Sequence, residues 1–239
     1  MTPDQGWLAT GTLKLQRARE CVLDVARQIG GAQPSTVTLT DLSRFGNDGA
    51  MTNVTWTQLA SGLWVMTMDG TSYVDVTDAP SLDIVNEVTM MCWVYHTDLT
   101  GFQRYINKTD LTPNYRLYQL GKIDTHMLMN IIKTSDTSNT VYSGAEYKLS
   151  VDEWYLVAGN YDKNAGENNQ IVYMNGFSPN SGTYTGAIQT SNQDLFLGGY
   201  NAANPELIGY MAMARVYNFA LPPQTILNCY NNEKALFGL

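Results

Sequence analysis

A hairpin in the middle of the chain constrains the fold more strongly than any other stretch. Large apolar residues recur at every second position from Trp154 to Ala158, which is the period of two that a β-strand requires. The polar segment 163–169 contains a glycine and is typical of a hairpin loop. A second run of β-branched and aromatic residues, 171–174, leads into Asn175-Gly176, a dipeptide suited to the positive φ angles of a tight turn. The centre of the chain is therefore predicted to be strand, loop, strand and tight turn.

This hairpin and several other stretches together resemble one known family. The hairpin is similar to that of laminin-G-like domains, which belong to the concanavalin A-like jelly-roll superfamily. Further stretches follow in the order of that family, at residues 41–49, 68–74, 89–94, 195–199 and 209–221. The resemblance spans 21–237 and implies an all-β fold, an antiparallel two-sheet β-sandwich of the jelly-roll type. Pro222-Pro223, followed by apolar residues at helical spacing, predicts a short C-terminal helix.

The chain shows no linker, charge block or internal repeat, which favours one domain. Residues 1–20 precede the resemblance and are predicted to be an N-terminal arm or an extra strand, with the sandwich at 21–239. The segment 18–29 fits both helical and strand spacing, and we favour a strand that begins at Cys21. Residues 97–113 are predicted to form an irregular loop.

Composition excludes several classes of function. Charged residues make up only 15% of the chain, and the net charge is -8, so binding to nucleic-acid phosphates or to an acidic membrane surface is not expected. No apolar segment is long enough to cross a membrane, and the N-terminus carries no secretory signal. The spacing of Cys21, Cys92 and Cys229 fits neither a zinc nor a redox motif, so free thiols are expected.

The sequence also argues against catalysis. The glycosidases of the superfamily carry carboxylates at alternate positions of one strand, where they flank the scissile bond. No such spacing occurs here, and the neighbours Asp152 and Glu153 are expected to point to opposite faces. His96 and His126 are the only histidines, and each is expected to be a core or rim residue. We therefore predict that the protein is not an enzyme.

The family resemblance raises the question of a structural calcium ion. In many relatives, oxygen ligands come from the loop that matches residues 41–49 and from an aspartate in the last long strand. Asp41, Asn47 and Asp48 would supply the loop half of such a metal site, but Ala212 stands at the expected aspartate. The alternative is that Asp41 and Asn47 accept backbone hydrogen bonds in Asx turns. We favour that alternative and predict no cofactor, with weak or absent calcium binding.

Sugar binding would require aromatic faces and polar side chains on exposed loops. Such residues cluster in or beside the segment 97–113 and in later loops. The candidate ligand contacts are Phe102, Arg104, Tyr105, Tyr115, Tyr184, Tyr200 and Asn201.

Two functional hypotheses follow for a non-enzymatic binding or assembly module. The run 228–239 resembles the ends of laminin-G-like domains in tailed-phage proteins. It favours a virion accessory protein, in capsid decoration or a tail appendage, whose partners are other virion subunits or further copies of the chain, with host-surface glycans as additional ligands. The alternative is a secreted or cell-surface carbohydrate-binding module. The expected location is accordingly the virion or, for the alternative, the extracellular space.

Overall fold

The computed structural model describes residues 21–110, 115–123, 128–134 and 137–239. Two eight-stranded antiparallel sheets face one another, and a two-stranded ribbon is attached to them. The predicted two-sheet sandwich with a C-terminal helix is therefore confirmed. The proposed arm at residues 1–20, and His126, lie outside the described residues.

The first sheet has the strand order β14-β13-β12-β7-β18-β5-β4, and β1 pairs with the second half of β18. Its strands are β1 (Cys21–Val25), β4 (Thr55–Gln58), β5 (Trp64–Asp69), β7 (Glu87–His96), β12 (Trp154–Asp162), β13 (Gln170–Met174), β14 (Phe177–Gly182) and β18 (Ile208–Tyr217).

The second sheet has the order β11-β10-β9-β8-β15-β6-β3-β2. Its strands are β2 (Thr38–Leu39), β3 (Gly49–Thr52), β6 (Tyr73–Val76), β8 (Gln103–Asp110), β9 (Tyr115–Lys122), β10 (Leu128–Thr134), β11 (Thr137–Tyr142) and β15 (Leu195–Leu197). The ribbon pairs β16 (Gly199–Asn201) with β17 (Asn204–Pro205).

The predicted central hairpin is formed by β12 and β13, which pair antiparallel. Asn175 and Gly176 both have positive φ, 52° and 84°, as the tight turn into β14 requires. Gly176 also lies against the C-terminal helix, because a Cβ atom there would be 2.8 Å from Leu227 Cα. The turn therefore needs glycine both for its backbone angle and for close packing.

Strand β7 lies at the centre of the first sheet, between β12 and β18, and is buried on both faces. One face of this sheet packs on the second sheet, through residues such as Val94 and Val157. The opposite face packs beneath the C-terminal segment, through Trp93 and Leu156. The first sheet is thus the middle layer, and burial on both faces explains the continuous apolar sequence of β7.

The C-terminal segment consists of helix α1 (Pro223–Glu233) and a 3-10 turn (Lys234–Phe237) that ends at Gly238, where φ is 79°. Glu233 fixes this segment to the first sheet. Its carboxylate accepts the indole N–H of Trp93 at 2.8 Å and pairs with the guanidinium of Arg215 at 2.7 Å. Arg215 is buried, so this contact satisfies a charge inside the protein.

The loop predicted over residues 97–113 is wrong for Gln103–Asp110, which form strand β8 in the middle of the second sheet. The error has a physical cause, because the polar side chains of this strand are buried with partners. Lys108, for example, is fully buried and forms an ion pair with Asp78. The strand predicted to begin at Cys21 is confirmed as β1.

Cys21, Cys92 and Cys229 form no disulfide, as predicted; Cys21 and Cys92 are buried, whereas Cys229 is half-buried. Burial raises the pKa of the Cys21 thiol to about 12, so this group stays protonated at neutral pH. No helix among the described residues has the length and apolar character needed to cross a membrane.

Candidate functional site

The loop expected to hold calcium is organised by hydrogen bonds to Asp41. Its Oδ1 accepts the N–H groups of Asp24 and Ser43, both at 2.9 Å. Its Oδ2 accepts the N–H of Asn47 at 2.8 Å and the Ser43 hydroxyl at 2.6 Å. Both oxygens of the carboxylate are therefore used to shape the loop and to join it to β1.

The other two candidate metal ligands have similar roles. Asp48 Oδ1 accepts the N–H of Asp41 at 2.7 Å, and Asn47 Nδ2 donates to the carbonyl of Val22 at 2.6 Å. Ala212 belongs to the cluster beneath the C-terminal segment. Across the described ranges, no group of three or more acidic, histidine or cysteine side chains could hold a metal ion. These residues do not fit a calcium site. The Asx-turn alternative is matched by Asp41, which accepts the N–H of Ser43, but it is wrong for Asn47, whose side chain bonds the Val22 carbonyl and the Ser81 hydroxyl.

The structure brings together two of the candidate ligand contacts, Phe102 and Arg104. Phe102 is 48% exposed, and the Arg104 guanidinium carbon lies 5.8 Å from its ring centroid. Arg104 forms an ion pair with Glu206, which follows the β16–β17 ribbon that carries Asn201. The guanidinium is almost entirely buried, so within this group Phe102 provides most of the accessible surface.

The remaining candidates are placed elsewhere. Tyr105 is fully buried, and its hydroxyl lies 3.0 Å from Nε2 of His96. His96 is therefore a core residue, one of the two positions predicted for it, and Tyr105 also belongs to the core. Tyr184 packs near strand β11, where its hydroxyl donates to the Thr140 carbonyl at 3.3 Å. Within its turn, Asn201 accepts the N–H of Ala203 at 3.0 Å. The side chains of Tyr115 and Tyr200 are outside the described set.

A row of three aromatic side chains crosses the outer face of the first sheet. Trp154 on β12 is paired with Tyr95 on β7, and Tyr95 is paired with Tyr210 on β18. The ring centroid of Tyr95 lies 5.4 Å from that of Trp154 and 5.4 Å from that of Tyr210. Directly paired residues share one face, so the register of three adjacent strands produces the row.

Trp154 and Tyr95 form one wall of a cleft of about 540 Å³, and Tyr210 packs against Tyr95 beside it. Tyr95 and Tyr210 are half-buried, so parts of both rings face the solvent. The cleft is lined by Tyr95, Asp152, Glu153, Trp154, Tyr155, Asn175, Tyr230, Phe237 and Leu239. An apolar wall with polar groups around it is the usual construction of a small-ligand site.

Asp152 and Glu153 both contribute to the lining of this cleft, although their carboxylates bond tyrosines on opposite faces of the first sheet, Tyr95 on the outer face and Tyr155 on the inner face. Strand alternation is not the cause, because they precede β12 and Asp152 lies in a turn with φ of 63°. Asp152 N–H donates to the His96 carbonyl at 2.9 Å, and its Oδ1 accepts the Tyr95 hydroxyl at 3.2 Å. Burial and that hydrogen bond raise the pKa of Tyr95, which keeps the phenol protonated.

Other polar groups complete the lining of the cleft. Glu153 accepts the hydroxyl of Tyr155. Asn175 Oδ1 accepts the N–H of Leu156 at 3.0 Å, which holds the side chain in place while its Nδ2 forms no hydrogen bond among the described residues. The cleft thus offers carboxylate acceptors and an amide donor around an aromatic surface, a combination that suits a ring bearing hydroxyl groups.

The sequence contains the elements of this site but not their assembly. Trp93 and Tyr95, and likewise Trp154 and Leu156, alternate in their strands and indicate one shared face. Which residue of β7 is opposite which residue of β18 depends on register between distant segments. The bulge between Ala212 and Arg215 in β18 changes that register further along the strand and has no clear signal in the sequence.

Solved structures with the same architecture include both binding domains and enzymes. Domain 4 of AbnA, a GH43 extracellular arabinanase from Geobacillus stearothermophilus in complex with arabinotriose, aligns with a TM-score of 0.61 at 21% identity, over 79% of this chain and 91% of that domain. The binding domain of Paraclostridial Mosquitocidal Protein 1 aligns with a TM-score of 0.66 at 13% identity, over 89% of this chain. A Trypanosoma rangeli sialidase aligns with a TM-score of 0.64 at 12% identity, over 90% of this chain.

These likenesses show the fold. The chain spans 52% of the mosquitocidal binding domain and 33% of the sialidase. No curated protein matches the sequence. The model of a laminin-G-type family, described as the concanavalin A-like lectin/glucanases superfamily, matches residues 68–227. With that match over most of the chain, and with the sandwich seen in the structure, the protein belongs to the concanavalin A-like lectin/glucanases superfamily.

Proposed function

We propose that the protein is a non-catalytic carbohydrate-binding module and that its ligand lies on the aromatic row of Trp154, Tyr95 and Tyr210. The observation that carries the proposal is the register of these residues across three adjacent strands. The ring centroids lie 5.4, 5.4 and 6.2 Å apart, so the three rings converge into one compact surface, which suits roughly one sugar ring. The apolar face of a sugar packs on the rings, while its hydroxyl groups donate to Asp152 and Glu153.

The comparisons support this class of ligand. The family is lectin-like, and the arabinanase domain with the same fold was solved with arabinotriose. Other domains of this shape are binding domains of toxins, one of them in complex with a sialylated glycan. A module of this kind would bind glycans outside cells. This agrees with the extracellular location expected under the alternative hypothesis of the sequence analysis.

The experiment is calorimetric titration of the full chain with a panel of oligosaccharides that includes arabinotriose. Tyr95→Ala is expected to weaken binding about tenfold, because Tyr95 lines the cleft and one aromatic contact contributes roughly 1–1.5 kcal/mol. Tyr184→Ala is the matched control, since it removes a half-buried tyrosine from a different part of the sandwich. Melting curves show whether each variant is folded.

Phe102→Ala separates this site from the one predicted by sequence. Phe102 is exposed near Arg104 and is not part of the cleft lining. Loss of binding in Phe102→Ala, with full binding in Tyr95→Ala, would reject the aromatic row and support the segment around Arg104. Binding of no sugar in the panel would reject the proposed function.

Assembly in a virion, as capsid decoration or a tail appendage, is a second candidate. The observation that favours it is the exposure of large apolar side chains, with Val37 71%, Phe177 66% and Leu42 60% exposed. Such side chains gain stability when a neighbouring subunit covers them. Sedimentation at increasing concentration tests this candidate, and a strictly monomeric chain that does not bind phage particles would reject it.

A further inference from the structure

We propose that the cleft selects neutral glycans and discriminates against acidic ones through the carboxylates of Asp152 and Glu153. This inference rests on the proposed function and specifies its ligand class. The neutral class excludes glycans with uronic or sialic acid at the bound positions.

Asp152 and Glu153 each keep one carboxylate oxygen available to a ligand. Each has one oxygen engaged by a tyrosine hydroxyl, Oδ1 of Asp152 by Tyr95 and Oε2 of Glu153 by Tyr155. The second oxygen of each group forms no hydrogen bond among the described residues, and both residues contribute to the lining of the cleft. These oxygens accept hydrogen bonds from sugar hydroxyls but repel a ligand carboxylate.

The aromatic surface does not have the shape of a cage for a cation. A cage for an alkylammonium cation requires rings that surround a central space. Here the centroids are 5.4, 5.4 and 6.2 Å apart, which are contact distances between neighbouring rings. No group fits between them, so a ligand lies across the row, as a flat neutral sugar ring does.

Negative charge predominates in the lining of the cleft. Its lining includes Asp152 and Glu153 and no lysine, arginine or histidine. The Lys234 ammonium lies 5.3 Å above the ring of Tyr230, at the side formed by the C-terminal segment. The chain as a whole carries a net charge of -8, so its long-range field also opposes anions.

The test compares matched neutral and acidic probes by titration: galactotriose with trigalacturonic acid, and lactose with 3′-sialyllactose. The wild-type chain is expected to bind the acidic member of a pair roughly tenfold more weakly, the order expected for charges about 4 Å apart in water. Raising the salt concentration should reduce this difference, since the carboxylates are exposed to solvent.

The decisive variant is Asp152→Asn combined with Glu153→Gln, because both changes keep shape and remove charge. Asparagine also accepts the positive φ of position 152. The double variant should bind both members of a pair within about threefold, since the carboxylate repulsion is removed. Asp162→Asn is the matched control, because it removes one charge from the far end of β12, the strand that Asp152 and Glu153 precede. Lys234→Gln should leave the preference unchanged.

The outcomes separate the two proposals. If the wild-type chain binds an acidic probe as tightly as its neutral partner, the inference is overturned and the sugar-binding function stands. The inference is also overturned if the double variant keeps the full preference for neutral probes. If no probe binds, the proposed function fails and the inference fails with it.

Discussion

The ring of Phe237 stacks on the indole of Trp93, with centroids 4.1 Å apart and planes inclined by 19°. The same ring contacts Trp154, at a centroid distance of 4.6 Å. Phe237 therefore joins the C-terminal segment to the central strand of the first sheet and supports one member of the aromatic row.

Phe237→Ala is expected to lower the free energy of unfolding by about 3 kcal/mol, as is usual when a large buried ring is removed. It should also weaken sugar binding, because Trp154 loses its support. Phe237→Leu should retain much of the stability, since it fills most of the space. Urea unfolding and sugar titration measure the two effects. Unchanged stability in Phe237→Ala would contradict the described packing.

The contact between Glu233 and Arg215 predicts a second large effect. Glu233→Ala leaves a buried guanidinium whose other acidic neighbour, Asp24, is 3.8 Å away, so about 3 kcal/mol of stability should be lost. Glu233→Gln should also be destabilising but less so, because its amide oxygen still accepts the indole N–H of Trp93. Thermal unfolding of the three proteins gives the ranking, and equal stability of all three would exclude this role for Glu233.

The hydrogen bonds of Asp41 predict that the loop is independent of calcium. Melting temperatures with calcium and with a chelator are expected to agree, because both carboxylate oxygens already accept hydrogen bonds. Asp41→Ala should cost about 2–4 kcal/mol, since several backbone donors lose their acceptor. A fall of many degrees with chelator would instead show that calcium is bound.

The raised pKa of Asp75 predicts that the stability of the protein depends on pH. Burial, together with the charge and hydrogen bonding of Asp194, raises the pKa of Asp75. Stability should therefore fall as pH rises through this pKa, because the folded protein must then hold a carboxylate beside Asp194. Asp75→Asn is expected to raise Tm at pH 7 by about 2 °C, as a gain of roughly 0.5–1 kcal/mol does in a chain of this size. The gain should shrink near pH 4, and a lower Tm at pH 7 would contradict the prediction.

No hydrolysis of β-glucan or galactan is expected from this chain. Asp152 and Glu153 share a cleft, but each has an oxygen bound by a tyrosine hydroxyl, and no strand carries carboxylates at alternate positions as in the glycosidases. Release of reducing sugar that Glu153→Gln abolishes would overturn this prediction, whereas release that survives the change would indicate a contaminating enzyme.

The sequence was sufficient to predict several individual elements because their signals are local, whereas the two-sheet arrangement came from the family resemblance. The alternation of Trp154 to Ala158, the Asn175-Gly176 turn and the proline pair before α1 each depend on neighbouring residues. Strand β8 escaped prediction because Arg104 and Lys108 interrupt the apolar pattern, and their partners Glu206 and Asp78 are distant in sequence. The sequence of a buried polar strand therefore looks like that of a loop when the partners of its polar residues are not known.

The candidate site was harder to predict for a related reason. Attention to loops selected Tyr105 and Tyr184, of which the first is buried and the second packs on β11. The cleft instead combines residues of two strands and the C-terminal segment with a turn at Asp152, where alternation no longer determines direction. Cross-strand register, rather than the number of aromatic residues, determines which rings meet.

Gly209, immediately before Tyr210, affects the rigidity of the aromatic surface and therefore the kinetics of ligand binding. A Cβ atom at this position would lie 2.0 Å from the Tyr95 carbonyl oxygen, so only glycine allows β18 to approach β7 this closely. The aromatic surface is therefore held by the backbone ladder and is already formed before any ligand arrives. Association should then proceed in a single kinetic step with little loss of protein entropy. Loops at the ends of the sandwich could be exchanged between homologues while the recognition surface keeps its geometry.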